Sequence, residues 1–248
     1  MSQYAGLAGV YDYLVQGVDF EGWIDYVEQI LKKYNTSAFS VADLACGTGN
    51  TTIPFARRGY MATGIDIAPE MISRAREKAH AQGIDIQFAE QDMRMLDLPR
   101  KFDLITCFHD GLNYLLSQED LTKVFQSVHR HMVPGGMFIF DLNAVKWLSG
   151  SKRETTCIDE PELTLVWESF YDHSQSIWQI DVLGFVKQGS HYQKFKESHQ
   201  EKAYSPAEII PLLEQSGFKF LDVYDAFTFN PPNDNSLRHF YIASSQSF

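Results

Sequence analysis

Residues Val41 to Asn50 read V-A-D-L-A-C-G-T-G-N, a short apolar run carrying one acid and closing in a glycine-rich turn. A second apolar run, M-A-T-G-I-D, ends at Asp66. The spacing predicts two adjacent parallel strands whose carboxyl ends form a nucleotide pocket, the first running into a helix. In the turn, Ala45, Gly47 and Gly49 are small enough for backbone to approach a ligand closely. At the end of the second strand, the Asp66 carboxylate can accept both hydroxyls of a ribose.

Several nucleotide folds share such turns, and details choose among them. A dinucleotide fingerprint needs a third glycine three residues after Gly49, where Thr52 stands, and a P-loop needs G-K-[ST], which the chain lacks. The motif present is D-x-x-x-G-x-G. After Asp66 comes A-P-E-M-I-S-R-A-R-E-K-A, a helix opened by Pro69 with Glu70 at its positive end. A third strand over residues 84–89 leads to E-Q-D-M. A fourth, F-D-L-I-T-C-F, leads to H-D-G-L-N-Y. A helix over residues 121–131 ends at P-G-G and is followed by a fifth strand, M-F-I-F-D.

Taken in this order, the motifs resemble those of the class I S-adenosylmethionine (SAM) methyltransferases, strongly over residues 38–145. Within that family the likeness is greatest to bacterial small-molecule enzymes carrying D-L-A-C-G-T-G-N. It extends to Tyr4, Tyr11 and Asp12 near the start and to His199, Glu201, Ala203 and Tyr204 late in the chain. The resemblance implies a Rossmann-like α/β fold, a seven-stranded mostly parallel sheet with an antiparallel last strand. It implies SAM as cofactor, with Tyr4, Tyr11, Ala45, Gly47, Gly49, Asp66, Ile67, Met71, Asp92, Met93 and Phe108 around it, Asp92 against the adenine amino group and Met93 on the ring. It places His109, Asn113 and Tyr114 beside the transferable methyl. His109 is read either as a base for a substrate hydroxyl or amine or as packing over the adenosine. Asn113 and Tyr114 are read as orienting a polar substrate, with Tyr114 equally suited to the core.

The remaining chain divides into an N-terminal helical cap (residues 1–37), the SAM-binding core (38–148), an antiparallel β insertion serving as substrate lid (149–203), and a helix with two strands completing the core (204–248). A helix around Trp23–Tyr34 has apolar residues at helical spacing, and packing is the expected role of Trp23. Alternation in L-T-L-V-W-E-S-F, S-I-W-Q-I-D-V-L-G-F-V and H-Y-Q-K-F-K-E-S-H-Q-E predicts three antiparallel strands. His199 and Glu201, two apart, share one face. Ser205-Pro206-Ala207-Glu208 is a capping box. Asn230–Asn233, N-P-P-N, resembles a signature of amino-directed nucleic-acid methylases but falls between the last two strands and reads as a rigid turn.

Composition narrows the partners. At 248 residues and 44% hydrophobic, the chain can fill one sizeable core. With 21 basic against 32 acidic residues and a net charge of −11, it lacks the excess of Lys and Arg by which proteins neutralise phosphates, so a small-molecule acceptor is expected over a nucleic acid. Arg57 and Arg58, the densest basic run, read as complements to a helix C-terminus. Three scattered cysteines suggest neither a disulfide framework nor a metal site, and with no apolar run of spanning length a cytoplasmic monomer or homodimer is expected. Transfer from a sulfonium needs collinear alignment above all, and proximity and orientation can supply about 7–11 kcal/mol of a barrier. A macromolecule methylase and a non-catalytic SAM sensor are the alternatives, the first marked by salt-steep RNA binding and the second by absence of turnover.

Overall fold

The computed structural model describes Tyr4 and residues 6–150 and 152–245. Its main sheet has seven strands: β1 (Ser40–Leu44), β2 (Met61–Asp66), β3 (Gln87–Glu90), β4 (Phe102–Cys107), β5 (Met132–Asn143), β10 (Phe218–Asp225) and β11 (Arg238–Ser245). They lie in the order β10-β11-β5-β4-β1-β2-β3. β1 pairs in parallel with β2 and β4, and β11 runs antiparallel to both its neighbours. This is the architecture expected from the sequence.

Central parallel strands are covered on both faces, which is why β1 is buried at every position. One face packs Leu44, Ile105, Phe138 and Phe140 against α5 (Gln118–Arg130) and α7 (Pro206–Gln215). The other packs Val41, Leu104 and Ile139 against α2 (Phe20–Lys33), whose Trp23, Ile24, Val27, Ile30 and Leu31 form the buried stripe. Asp19 caps α2 by accepting the Gly22 N–H at 3.0 Å. Ser205 caps α7, its N–H and hydroxyl donating to Glu208 at 2.9 and 2.8 Å. The remaining helices are α1 (Tyr11–Leu14), α3 (Thr52–Arg57), α4 (Pro69–Ala81) and α6 (Val145–Gly150).

Arg57 and Arg58 do more than complement the end of α3. Arg58 reaches across to α2, where it meets Glu21, Asp25 and Glu28 at 2.9, 2.7 and 3.1 Å, and Arg57 also pairs with Glu21. These acids are substantially exposed, so Arg58→Ala is expected to cost only about 1 kcal/mol in denaturant unfolding, less at high salt.

The insertion is a separate antiparallel sheet in the order β6-β7-β8-β9: β6 (Glu154–Glu160), β7 (Leu163–Asp172), β8 (Ile177–Gln188) and β9 (His191–Lys202). It has four strands, against the three expected. β6 is an edge strand, E-T-T-C-I-D-E, exposed at all but one position, and so has no apolar alternation to reveal it. Leu163, Leu165 and Val182 of this sheet pack on Leu7 and Val10, tying the N-terminal segment to it. The N-P-P-N stretch lies in the connection between β10 and β11, outside both strands, as the turn reading requires.

Candidate active site

The strand order reverses at β1, between β4 and β2, and the crevice lies where β1, β2 and β4 end in that region. Residues Ala45, Gly47 and Gly49 all adopt left-handed backbone, with φ of 50°, 53° and 79°. For Ala45 this is strained, and the turn is held from several directions. Beneath it, the buried Asp43 carboxylate accepts hydroxyl hydrogens from Thr51 and Thr52, both at 2.6 Å, and from Thr106 at 2.8 Å. Above it, Asp66 accepts the Gly47 N–H and, through its other oxygen, the Ala68 N–H, both at 2.8 Å. Burial raises the Asp66 carboxyl above its ordinary range, against the pull of these N–H donors. From the side, Asp12 accepts from Thr48 (2.5 Å) and Asn50 (3.0 Å) and pairs with Lys78 of α4 at 2.7 Å, binding α1 to the turn.

The crevice spans about 750 Å³ counted together with the open solvent at its mouth. Ala45, Gly47 and Asp66 form its floor, and Ile67, Met71, Met93 and Phe108 give it apolar walls. Tyr4, Tyr11, His109 and Tyr114 cluster at one end. A second chamber shares Ala45, Asp66, Ile67, Met93 and Tyr114 and adds Asp92. Most of the expected residues thus come together. Gly49 does not line the crevice: it sits behind the turn, where a Cβ would crowd Phe88, Ala75 and Ile53. Asn113 is fully buried and its amide is spent on backbone, donating to the Lys202 carbonyl at 2.8 Å and accepting the Asn143 N–H at 3.0 Å. It ties β9 to β5 and, fully buried, lines neither chamber of the crevice. Asp92 accepts from Arg94, whose guanidinium holds its carboxyl below the usual range.

His109 and Asp110 are consecutive left-handed residues, φ 58° and 62°. The His109 ring lies against Phe20 and Trp23 at centroid distances of 5.7 and 5.8 Å, and its Nδ1 is 3.4 Å from the Tyr11 hydroxyl. Trp23 packs on Phe108, Phe227 and Phe240, as expected of a core residue. The Tyr4 and Tyr11 rings meet edge-on at 6.0 Å, and Tyr4 and Tyr114 share a hydroxyl–hydroxyl bond. Burial raises all three phenols, so they are neutral at physiological pH.

Two polar residues beside this end, Arg238 and Asp141, were not singled out from sequence. Arg238, opening β11, donates to Asp110 at 2.9 Å and to the fully buried Asp141 at the end of β5. Glu201, 2% exposed, lies nearby and accepts from Asn143 of β5 at 3.1 Å. The available signal was a charge at the end of each apolar run, F-I-F-D and R-H-F-Y-I, which pair antiparallel in the sheet.

The crevice can be tested for its fit to SAM from these contacts. A carboxylate at the end of β2, an apolar slot beside it and neutral phenols at the far end suit a ribose, an adenine and a sulfonium. Among the described residues no Lys or Arg lines the first chamber, and Arg94 in the second is paired with Asp92 and Asp120, so a diphosphate has no counter-charge there. Among the described residues, no group of three or more His, Cys, Asp or Glu is placed to hold a metal, and no helix is long and apolar enough to cross a membrane.

Comparison with known proteins agrees. Residues 41–136 match the family model described as a methyltransferase domain. The chain is 32% identical over 97% of its length, and 96% of the relative's, to YqeM of Bacillus subtilis (strain 168), whose name carries a provisional methyltransferase assignment. Over 54% of its length, and 56% of the relative's, it is 28% identical to the dTDP-3-amino-3,4,6-trideoxy-alpha-D-glucopyranose N,N-dimethyltransferase of Streptomyces venezuelae. The crystal structure of an S-adenosylmethionine-dependent methyltransferase from Clostridium acetobutylicum ATCC 824 superposes with a TM-score of 0.86 at 32% identity, covering 98% of this chain and 99% of that one. Fold, crevice and relatives together assign the chain: it belongs to the class I S-adenosylmethionine-dependent methyltransferases.

Proposed function

We propose that the enzyme methylates a small-molecule nucleophile, with Asp66 holding the ribose hydroxyls of SAM, Ile67, Met71, Met93 and Phe108 sandwiching its adenine, Asp92 at the adenine edge, and Tyr4, Tyr11 and Tyr114 enclosing the reacting end. The observation that carries this reading is the lining of that end: Tyr4, Tyr11, His109 and Tyr114 cluster there, and β9 packs on Tyr4 and Tyr114 through His199. A polynucleotide would need an open basic groove instead. The Streptomyces venezuelae relative, named for a sugar amine, supports an acceptor of this size. When bound, SAM supplies an electrophilic methyl on a sulfonium. What the chain supplies is alignment, exclusion of water by the aromatic rings, and neutral phenols whose faces tolerate positive charge. The four-stranded sheet serves as lid and specificity element.

Methyl transfer from labelled SAM into a metabolite extract, with product mass identifying the acceptor, tests the reading; label confined to RNA or absent altogether would contradict it. For His109, held among Phe20, Trp23 and Tyr11, we assign the packing role. His109→Ala is expected to lower SAM affinity and turnover together, each about 10-fold, an effect of roughly 1.4 kcal/mol. Lost turnover with unchanged affinity would make it a base.

A further inference from the structure

Asp110 and Asp141 share a single guanidinium, Arg238, beside the tyrosine end of the crevice, and Glu201 lies near enough to feel the charge of all three. Glu201 is faced by Asp110 and Tyr114 from the segment after β4, by Asp141 and Asn143 from β5, by Arg238 from β11, and shares its face of β9 with His199. Two buried acids and the half-buried Asp110 share one base, a surplus of acid that favours protonated Glu201 and that a bound cation would offset.

The unmet hydrogen bonds point the same way. The Asp141 Oδ1 atom is buried without a partner. So is Nδ1 of His199, a residue 3% exposed whose ring lies 4.7 Å from that of Tyr4 and 6.0 Å from that of Tyr114. Nε2 of His199 lies 3.1 Å from the Glu197 carboxylate and donates to it, and in the neutral ring Nδ1 is then an acceptor. Both orphaned atoms therefore lack a donor. An ammonium brings three N–H donors and one positive charge; a hydroxyl brings one donor and no charge. The ring faces of Tyr4 and Tyr114 suit the same cation.

Resting on the methyl-transfer reading above, we propose that the acceptor is an amine, seated with its nitrogen between the acid cluster and the Tyr4–Tyr114 pair, and that Glu201 receives its proton. The amine enters as its ammonium, one N–H proton passes to the ionised Glu201 carboxylate, and the nitrogen lone pair so freed forms the N–CH₃ bond as the S–CH₃ bond breaks with its electrons left on sulfur, giving the N-methylammonium product. Burial beside Asp110 raises the Glu201 carboxyl to about 8, which brings its proton affinity toward that of an amine.

The test is labelled-SAM transfer into a metabolite extract by wild type, Glu201→Gln and Glu201→Asp, with nitrogen or oxygen attachment read from product fragmentation. The glutamine keeps the bond from Asn143, and calorimetry with S-adenosylhomocysteine verifies that its cofactor site is intact. An N-methyl product is expected, formed about 100-fold more slowly by Glu201→Gln, with the acidic limb of the pH–rate profile lost and Glu201→Asp partly active. An O-methyl product, or an unchanged rate in Glu201→Gln, overturns this inference and leaves small-molecule methylation standing. No labelled product from protein that binds the cofactor overturns both. A second readout needs no acceptor. A carboxyl raised in the folded state favours the protonated form there, so wild type should lose stability relative to Glu201→Gln between about pH 5 and about pH 8. A difference in Tm that is flat across that interval would contradict the placement of Glu201 among these acids.

Discussion

Asp66→Ala should weaken binding of S-adenosylhomocysteine by about 100-fold or more in a calorimetric titration, with the protein still folded. The Asp66 carboxylate lines both chambers of the crevice, and burial leaves it few competing waters. Hydrogen bonds from two ribose hydroxyls to a charged acceptor contribute about 1.5–3 kcal/mol each, and about 1.4 kcal/mol is tenfold in affinity. The alanine also frees the N–H groups of Gly47 and Ala68, so the turn loses its upper tie and the strained Ala45 backbone can relax. Asp66→Asn should lie between, since an amide oxygen satisfies one of those donors while its NH₂ group faces the other. Affinity within threefold of wild type in the alanine variant would remove Asp66 from the site.

Asp43→Ala should lower stability by about 3–5 kcal/mol, through the floor of the same turn. Its carboxylate is fully buried and is the acceptor for three hydroxyls, from Thr51, Thr52 and Thr106. A buried donor left without a partner costs about 1–3 kcal/mol, and reorientation of the threonines recovers part of the sum. In a chain of this size each kcal/mol lowers Tm by roughly 2–4 °C, so a drop of about 6–20 °C is expected in a thermal melt. Asp43→Asn should cost less, because a hydroxyl can turn to accept from the amide. A loss below about 1 kcal/mol for the alanine would mean that the threonines hold the turn without it.

The legible part of this molecule was its central sheet and the ligand-facing ends of β1 and β2. Buried parallel strands carry continuous apolar runs, and a left-handed turn demands small residues, so V-A-D-L-A-C-G-T-G-N reports both at once. Local signals failed where pairing alone makes the structure. β6 is an exposed edge strand whose order comes from its backbone bonds to β7. Gly49 and Asn113 sit within recognisable motifs, yet one is small to admit Phe88 and the other joins two strands through its amide. The cluster of Asp110, Asp141, Glu201 and Arg238 gathers residues from β5, β9, β11 and the end of β4. None of these segments announces the others, because antiparallel closure of the last strands brings them together.

The most direct measurement is a crystal structure grown with saturating S-adenosylhomocysteine. Density with the ribose hydroxyls on Asp66, the adenine between Ile67, Met93 and Phe108, and the sulfur toward Tyr11 and Tyr114 is the result expected. Ligand density elsewhere on the protein, with the crevice beneath the Ala45–Gly49 turn filled only by water, would contradict it.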